Sequence, residues 1–376
     1  MTSSLPSPSA EALATHTVWM QRCLALARQG AGRTAPNPMV GCVVVQGDEA
    51  VGEGFHPKAG EPHAEVFALR AAGDRAVGAT LYVSLEPCNH YGRTPPCTEA
   101  VIQAQVAKVV VGMVDPDPRV SGSGIERLRA AGIEVVVGVE EQACQDLNEG
   151  FVHRVRHRQP FGILKYAMTL DGKIATANGH SAWVTGALAR TYVHQLRSHC
   201  DAVIVGTHTV RRDNPQLTSH RIDTEGVISY NPLRVVMSRS FQLPEQAKLW
   251  QTDIAPTVVF TEGEPDVALQ ATLRSQQVEI AILPELTPKT VMDCLYERGC
   301  ATVLWECGGT LSAQAIAQGC VQKILAFIAP KIIGGQNAPS PVGDLSLTHM
   351  TDALQLDRVS FECIGPDYLL IGYLRD

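Results

Sequence analysis

A histidine, two cysteines and a carboxylate stand where they could hold a metal ion and move a proton. Pro62-His63-Ala64-Glu65 places an imidazole two residues before a carboxylate, and Glu86-Pro87-Cys88 and Pro96-Cys97 supply two thiols. Three such ligands leave the fourth tetrahedral position of a zinc ion open to water, which a catalytic site needs and a closed structural site lacks. Glu65 would take a proton from that water and pass it to a leaving group.

The order His-x-Glu, then Pro-Cys after an apolar strand, then a further Cys, matches the zinc-deaminase signature. Eight residues rather than two separate Cys88 from Cys97, a departure from the usual spacing of that signature. Two other readings compete with it. One is a partly exposed histidine beside unrelated thiols; the other is a closed structural site with His90 as fourth ligand, which leaves Glu65 without a role. Asn37, held between Pro36 and Pro38, suits either the reading of a heterocycle edge or a turn.

In the second half, Phe161, Ile163, Lys165 and Ala167 share one face of an alternating strand. A lysine on an apolar face needs a partner, so Lys165 either snorkels to the edge or is held for chemistry. Cys307-Gly308-Gly309-Thr310 follows a buried strand and opens a helix. That turn is either an anion site suited to a cofactor pyrophosphate or a tight turn and nothing more. Glu306 stands at the carboxyl end of the strand, where open α/β sheets bind ligands. No Gly-x-Gly-x-x-Gly follows a strand, so this is not an ordinary dinucleotide-binding Rossmann unit. The basic run from His153 to Arg158 reads better as a solvated helix end and linker than as a phosphate grip.

The elements that must position these groups fall into two domains, as 376 residues exceed one ordinary core. They are expected at 15–158 and 159–376, after a Ser/Pro/Ala-rich leader, 1–14, read as disordered and lacking the basic start and apolar core of a signal peptide. No apolar run reaches about 18 residues, which argues against a membrane span. The net charge of −7 argues against a grip on nucleic acid. Eleven cysteines without an export signal point to a reducing, cytoplasmic compartment, the nine outside the metal motif serving as small buried apolar residues. Patterning predicts a helix over 17–29, a hairpin over 40–55 and a helix over 63–72 with His63 and Glu65 in its first turn. A strand over 80–85, a helix over 97–105 and a strand-helix-strand-helix run over 108–148 complete a five-stranded sheet with helices on both faces. The second domain is expected to hold strands at 161–167, 202–205, 301–306, 321–328, 358–364 and 367–374, with helices at 187–198 and 311–318.

Three stretches are then specific: Asn37-Pro38-Met39-Val40-Gly41; His56 with Ala59-Gly60-Glu61-Pro62-His63-Ala64-Glu65; and Glu86-Pro87-Cys88-Asn89-His90-Tyr91-Gly92-Arg93-Thr94-Pro95-Pro96-Cys97. They resemble the deaminase half of the bifunctional riboflavin-biosynthesis deaminase/reductase family, whose own variant is the long Cys-to-Cys loop. Lys165, Ala167, Leu170-Asp171-Gly172-Lys173, Ser181, Trp183, Leu196-Arg197, Asp213-Asn214-Pro215, Leu217-Thr218, Glu306 and Gly308 resemble its reductase half. The resemblance covers essentially everything after the leader. It implies an α/β protein: a cytidine-deaminase-like three-layer domain followed by a dihydrofolate-reductase-like domain.

The resemblance also implies Zn2+ on His63, Cys88 and Cys97, NADPH in the second domain, and a small-molecule substrate, a diaminopyrimidinone ribosyl 5′-phosphate. Glu65 would shuttle the proton of deamination, and reduction at ribose C1′ would give a ribityl chain. Asn37, His56 and Arg93 are the expected substrate readers in the first domain. In the second, Ala167, Trp183, Thr209, Asp213, Ser238 and the turn Gly308, Gly309, Thr310 would contact the cofactor. Ser181, Arg197, Leu217 and Glu306 would contact substrate, with Lys165, Asp213 and Glu306 around the reacting ribose. The family's basic residue after Leu-Thr is displaced here, and either His220 or Arg221 takes the phosphate. Arg212 and Arg239 are candidates for a cofactor 2′-phosphate. A homo-oligomer, dimer or tetramer, is expected, with no nucleic-acid or membrane partner. Two rivals stand beside this reading: a nucleic-acid adenosine deaminase with an appended nucleotide-binding domain, and a non-catalytic scaffold. The acidic balance counts against the first.

Overall fold

The computed structural model describes residues 10–91, 95–118, 120–219, 230–263 and 265–375. The chain divides into two compact units, Met1–Arg158 and Gln159–Asp376.

The first unit is built on valine-rich runs that are apolar on both faces, as strands covered by helices must be. Its elements are α1 (Ala10–Ala27), β1 (Gly41–Gln46), β2 (Glu49–Phe55), α2 (Ala64–Ala72), β3 (Thr80–Leu85), α3 (Cys97–Gln103), β4 (Lys108–Met113), α4 (Ser123–Ala130), β5 (Glu134–Val137), α5 (Glu141–Leu147) and α6 (Glu149–His157). The sheet order is β2-β1-β3-β4-β5, with β1 antiparallel to both neighbours and β3, β4 and β5 parallel. Val43, Val44, Leu81, Val83 and Val109 to Val111 are fully buried between the helical layers. One close approach positions the site. A Cβ on Gly54 of β2 would lie 2.6 Å from the Ala64 carbonyl oxygen, so the absent side chain lets the start of α2 rest directly on the sheet.

In the second unit, side chains alternate between two cores. Val203, Val205 and Leu304 enter one, and Ala202, Ile204, Val303 and Trp305 the other. Its elements are β6 (Phe161–Thr169), α7 (Ala187–Ser198), β7 (Ala202–Gly206), α8 (Thr207–Asp213), β8 (Leu233–Met237), β9 (Thr257–Glu262), α9 (Val267–Ser275), β10 (Glu279–Leu283), α10 (Pro288–Glu297), β11 (Thr302–Trp305), α11 (Gly309–Ala317), β12 (Lys323–Ala329), β13 (Leu356–Ile364) and β14 (Asp367–Leu374). The nine-stranded sheet runs β10-β9-β8-β7-β11-β6-β12-β14-β13. Seven strands are parallel, and the β13–β14 hairpin closes the β12 edge antiparallel.

Four departures from the sequence-based expectations follow. α1 begins at Ala10, inside the stretch 1–14 expected to be disordered. Residues 233–297 add three strands and two helices that patterning does not mark, because β8 and β9 are short and buried on both faces, so no alternation shows. The segment after β7 is helical through Asp213. The turn after Glu306 is shorter than expected, with Gly308 as the cap and α11 starting at Gly309, two residues before the predicted start. No helix among the described residues is long and apolar enough to cross a membrane.

Gly54→Ala tests the α2 contact. The added methyl must displace α2 or β2, a loss of about 1–3 kcal/mol, read as a melting-temperature drop of roughly 3–10 °C for the first unit in calorimetry. An unchanged transition would show that α2 does not depend on that approach.

Candidate active sites

The metal-site residues come from three separate element ends. His63 is the N-cap of α2, with extended backbone (φ −76°, ψ 165°), and so stands just outside the first turn in which it was expected. Cys97 is the first residue of α3, and Cys88 lies on the segment leaving β3. His63 Nδ1 is 3.2 Å from Cys97 Sγ and 3.5 Å from Cys88 Sγ, and all three donor atoms lie within 4.8 Å of one another. Tetrahedral zinc with ordinary Zn–N and Zn–S bonds sets N and S ligands about 3.5 Å apart, so the donor set fits that ion. The Cys97 N–H donates to Cys88 Sγ at 3.3 Å and the Thr98 N–H to the Cys88 carbonyl at 3.2 Å, which holds one thiol against the start of α3. The hydrogen bond with Cys97 lowers the Cys88 thiol, and His63 and the Cys97 N–H lower it further. Among the described residues no fourth ligand joins the cluster, His90 included.

Glu65 lies beside these ligands, 3% exposed. Burial pushes its carboxyl pKa up, while His63 and a hydrogen bond with Cys97 oppose that rise. Its Oε2 is fully buried and has no hydrogen-bond partner. An unsatisfied buried carboxylate oxygen is expensive, and folded proteins rarely keep one without use.

Asn37 and His56 join the same site. His56 Nδ1 lies 3.1 Å from the Pro62 carbonyl, Asn37 Nδ2 lies 3.2 Å from His56 Nε2, and the His56 and His63 rings meet edge-on at 5.3 Å. A carbonyl can only accept, so Nδ1 carries the proton and Nε2 accepts from the Asn37 amide. Burial lowers the His56 pKa and keeps the ring neutral, in keeping with that tautomer. Arg93 lies outside the described residues.

The second unit gathers Lys165, Arg197 and Glu306 from β6, α7 and the end of β11. Arg197 grips Glu306 with two parallel bonds, Nε to Oε1 at 2.5 Å and Nη2 to Oε2 at 2.9 Å, and Lys165 Nζ lies 3.7 Å from Oε2. Burial alone would raise the Glu306 carboxyl. The Arg197 charge and hydrogen bonds, with Lys165, more than offset it and hold the pKa at about 2. Burial lowers Lys165 against the pull of Glu306 and with the push of Arg197, and Arg197 itself is raised. Lys165 shares its face with Phe161, Ile163 and Ala167 and sits 6.0 Å from the centre of the Phe327 ring.

The other expected contacts lie at the carboxyl ends of the parallel strands. Thr209 is in the first turn of α8 after β7, and Ser238 follows β8 with its N–H donating to the Phe260 carbonyl. Gly308 caps α11, with Gly309 and Thr310 opening it. The Ser238 and Thr261 hydroxyls are buried without partners, and open space faces the Cα of Gly308. An orphaned hydroxyl after β8 and an open helix start after β11 stand on the same carboxyl edge of the parallel sheet, where an α/β sheet takes a dinucleotide. Trp183 is 70% exposed under the Arg190 guanidinium, and the Lys331 ammonium donates to the Trp183 and Val184 carbonyls. Asp213 is the last residue of α8. Desolvation raises it, against His208, Arg212 and a hydrogen bond with Ser181. Leu217 is buried with a left-handed backbone (φ 54°). Arg239 pairs with Glu262 and Arg212 donates to the Asn178 carbonyl, so both proposed 2′-phosphate partners are already engaged. His220 and Arg221 lie outside the described residues.

Two groups escaped the sequence. Thr218 accepts from Arg197 Nη1 at 3.1 Å through its carbonyl, a backbone role no side-chain motif reveals. Glu86 accepts from four backbone N–H groups beside Cys88; an acidic residue between an apolar strand and Pro-Cys was its only trace.

Residues 13–113 match the model of the cytidine and deoxycytidylate deaminase zinc-binding region, and residues 160–370 that of the RibD C-terminal domain. The riboflavin biosynthesis protein RibD of Synechocystis is 63% identical over 355 residues, covering 94% of this chain and 95% of that one. The Acinetobacter baumannii RibD structure superposes with a TM-score of 0.86 at 38% identity, covering 96% of this chain and 99% of its own. A diaminohydroxyphosphoribosylaminopyrimidine deaminase/5-amino-6-(5-phosphoribosylamino)uracil reductase from Thermotoga maritima gives 0.83 at 36%, with coverages of 96% and 99%. Both halves are matched in the same order, and the nucleic-acid deaminase reading is not favoured. The chain belongs to the RibD family, the bifunctional deaminase/reductases of riboflavin biosynthesis.

Proposed function

We propose that the two sites act in turn on one diaminopyrimidinone ribosyl 5′-phosphate, the first removing its 2-amino group and the second reducing its ribosyl chain to ribityl. Zn2+ and NADPH are the cofactors of the two halves.

Zinc, when held by His63, Cys88 and Cys97, supplies the Lewis acidity that makes water nucleophilic at neutral pH. Glu65 does the proton work. Its bare Oε2 takes a proton from the nucleophile and returns it to the departing amine, and this unpartnered oxygen is the observation that carries the reading. The His56 tautomer fixes the Asn37 amide with its N–H groups toward the ring, so Asn37 Oδ1 is the atom that accepts from the substrate heterocycle.

NADPH, when bound, supplies the reducing equivalents. Glu306 and Arg197 are locked in their ionised forms by each other, one lowered and the other raised, while Lys165 is shifted toward release. Lys165 is therefore the group that gives a proton to the ribose side of the substrate. Arg197 and Glu306 keep it in place and contact the sugar. Thr209, Ser238 and the Gly308 to Thr310 turn hold the cofactor, with Ala167, Trp183, Asp213, Ser181 and Leu217 around the two ligands. A phosphate contact from Arg93, His220 or Arg221 belongs to the same proposal. So does a cytoplasmic homo-oligomer, supported by eleven free thiols and by the exposed edge strand β13, where Phe361 is 67% exposed. Sedimentation of the purified protein tests the assembly.

The two activities are expected to separate cleanly. With the diaminopyrimidinone nucleotide, Glu65→Gln keeps its zinc but loses ammonia release by about 10²–10⁴-fold, the usual worth of a general acid–base group. Lys165→Met keeps ammonia release and loses NADPH oxidation. Glu65→Gln with full deamination, or Lys165→Met with full reduction, would remove the corresponding role.

The Glu306 pair predicts a pH dependence. The folded pKa of about 2 lies below the unfolded value of about 4.3. Its stabilisation is therefore fully present above pH ~4.3 and lost as pH falls toward ~2, at up to about 1.4 kcal/mol per pH unit. Glu306→Gln, which strands Arg197 in the core, should cost roughly 3–5 kcal/mol near pH 7. The gap to the parent narrows below pH ~4.3. Urea unfolding from pH 7 to 3.5 reads both; a gap constant across that range would contradict the pairing.

A further inference from the structure

Two carboxylates are buried to the same degree in the first unit, each 3% exposed, yet they are treated oppositely. Glu65 keeps an oxygen without a partner, whereas Glu86 is saturated. Glu86 Oε1 accepts from the Gly124 and Ile125 N–H groups at 2.8 and 3.3 Å, and Oε2 from the Asp115 and Gly122 N–H groups at 3.1 and 3.0 Å. Its own N–H donates to the Met113 carbonyl at 3.0 Å. One carboxylate thus ties the end of β3 to the end of β4 and to the start of α4. The positive end of α4 favours the charge.

We propose that Glu86 is a positioning residue for the zinc ligand Cys88, acting through the two-residue link Glu86-Pro87-Cys88. The proposal rests on the zinc reading of His63, Cys88 and Cys97. Five further contacts bear on it. A Cβ on Gly124 would collide with the Pro87 carbonyl, so α4 is seated directly on the link. Asn89, on the other side of Cys88, donates through Nδ2 to the Ser123 carbonyl at 3.2 Å and accepts from Thr98 Oγ1 at 3.0 Å. Cys88 itself is met by the N–H groups of Cys97 and Thr98. The thiol is therefore clamped between the starts of α3 and α4, and Glu86 anchors the α4 side.

Only an acceptor on both oxygens satisfies this arrangement. A glutamine has the same shape, but its NH₂ group would face two N–H donors and leave both unpaired. Outer groups that orient a metal ligand change metal affinity by about 10–100-fold when removed.

The test uses the full-length protein, with zinc affinity measured by chelator competition and ligand geometry by the thiolate-to-cobalt absorption of the cobalt-loaded form. Glu86→Gln is expected to bind zinc about 10–100-fold more weakly and to show a displaced, weakened thiolate band. Glu86→Asp, which keeps the charge but is one methylene shorter, falls between it and the parent. Glu126→Gln, an exposed carboxylate in the first turn of α4, leaves both unchanged. Parental affinity and spectrum in Glu86→Gln would overturn the proposal and leave Glu86 a fold element only. If Glu86→Gln does not fold, Glu86→Asp decides, and parental values there overturn it equally. A parent protein that binds no zinc, or a Cys88→Ser variant that binds it normally, would overturn the zinc reading and this proposal with it. Normal parent binding with an indifferent Glu86 sinks this proposal alone.

Discussion

A carboxylate removed from water must find donors, and most of the chemistry in this chain follows from which carboxylates do. Glu86 takes four backbone N–H groups and Glu306 takes a bidentate arginine, so both are satisfied and rigid. Glu65 is equally buried with one oxygen unmatched. His63 and a hydrogen bond with Cys97 relieve only part of its desolvation penalty, so its carboxyl stays raised. The surrounding fold holds that unfavourable state in place: α2 rests on the Gly54 backbone and cannot carry the side chain out to solvent.

The reductase half applies the same constraint to a cation. Lys165 is carried on the apolar face of β6 among Phe161, Ile163 and Phe327, where an isolated ammonium would be costly. Glu306 makes that position tolerable but does not neutralise it fully, because Arg197 already takes the better share of the carboxylate at 2.5 and 2.9 Å against 3.7 Å for Lys165. Three charges held by two good bonds leave the third short of compensation, and the short-changed group is the one shifted toward proton release. A full salt bridge to Lys165 would have made it inert.

The readable part of the site was the part whose chemistry requires residue type. His63, Cys88, Cys97 and Glu65 could be singled out because few other side chains can bind zinc or carry a proton beside it, and the fold brings the three candidate ligands together; strand alternation put Lys165 on the face it shares with Phe161 and Ile163. Its partners were not derivable from spacing: Arg197 and Glu306 lie on α7 and after β11, and sheet order, not sequence distance, brings them together. Thr218 acts through a carbonyl, which any residue owns. Helix capping moved His63 by one position, and the short strands β8 and β9, buried on both faces, lack the alternation that exposes a strand to pattern reading. Ser238 entered only through the riboflavin-family resemblance, and a buried hydroxyl without a partner, which the fold shows and spacing does not, distinguishes it.

The two units differ in strand order, size and cofactor, yet each brings part of its candidate site to where parallel strands end. In the first, β3 runs out into Glu86 and Cys88 and β4 into Asp115; in the second, β7, β8 and β11 run out into Thr207, Ser238 and Glu306. The reason is common to both. Leaving a parallel strand, the chain turns into a helix whose first N–H groups have no partner within the helix and point back over the sheet. Such a rim satisfies anions without committing side chains, and Cys88 sits against the start of α3 in this way. Side chains are then left for selectivity and proton transfer, and a carboxylate at that rim is either absorbed by the backbone, as Glu86 is, or must be kept from it to react. Glu65, at the start of α2, is absorbed only in part: its own N–H and the Cys97 thiol work against the burial that raises it, and Oε2 stays unmatched.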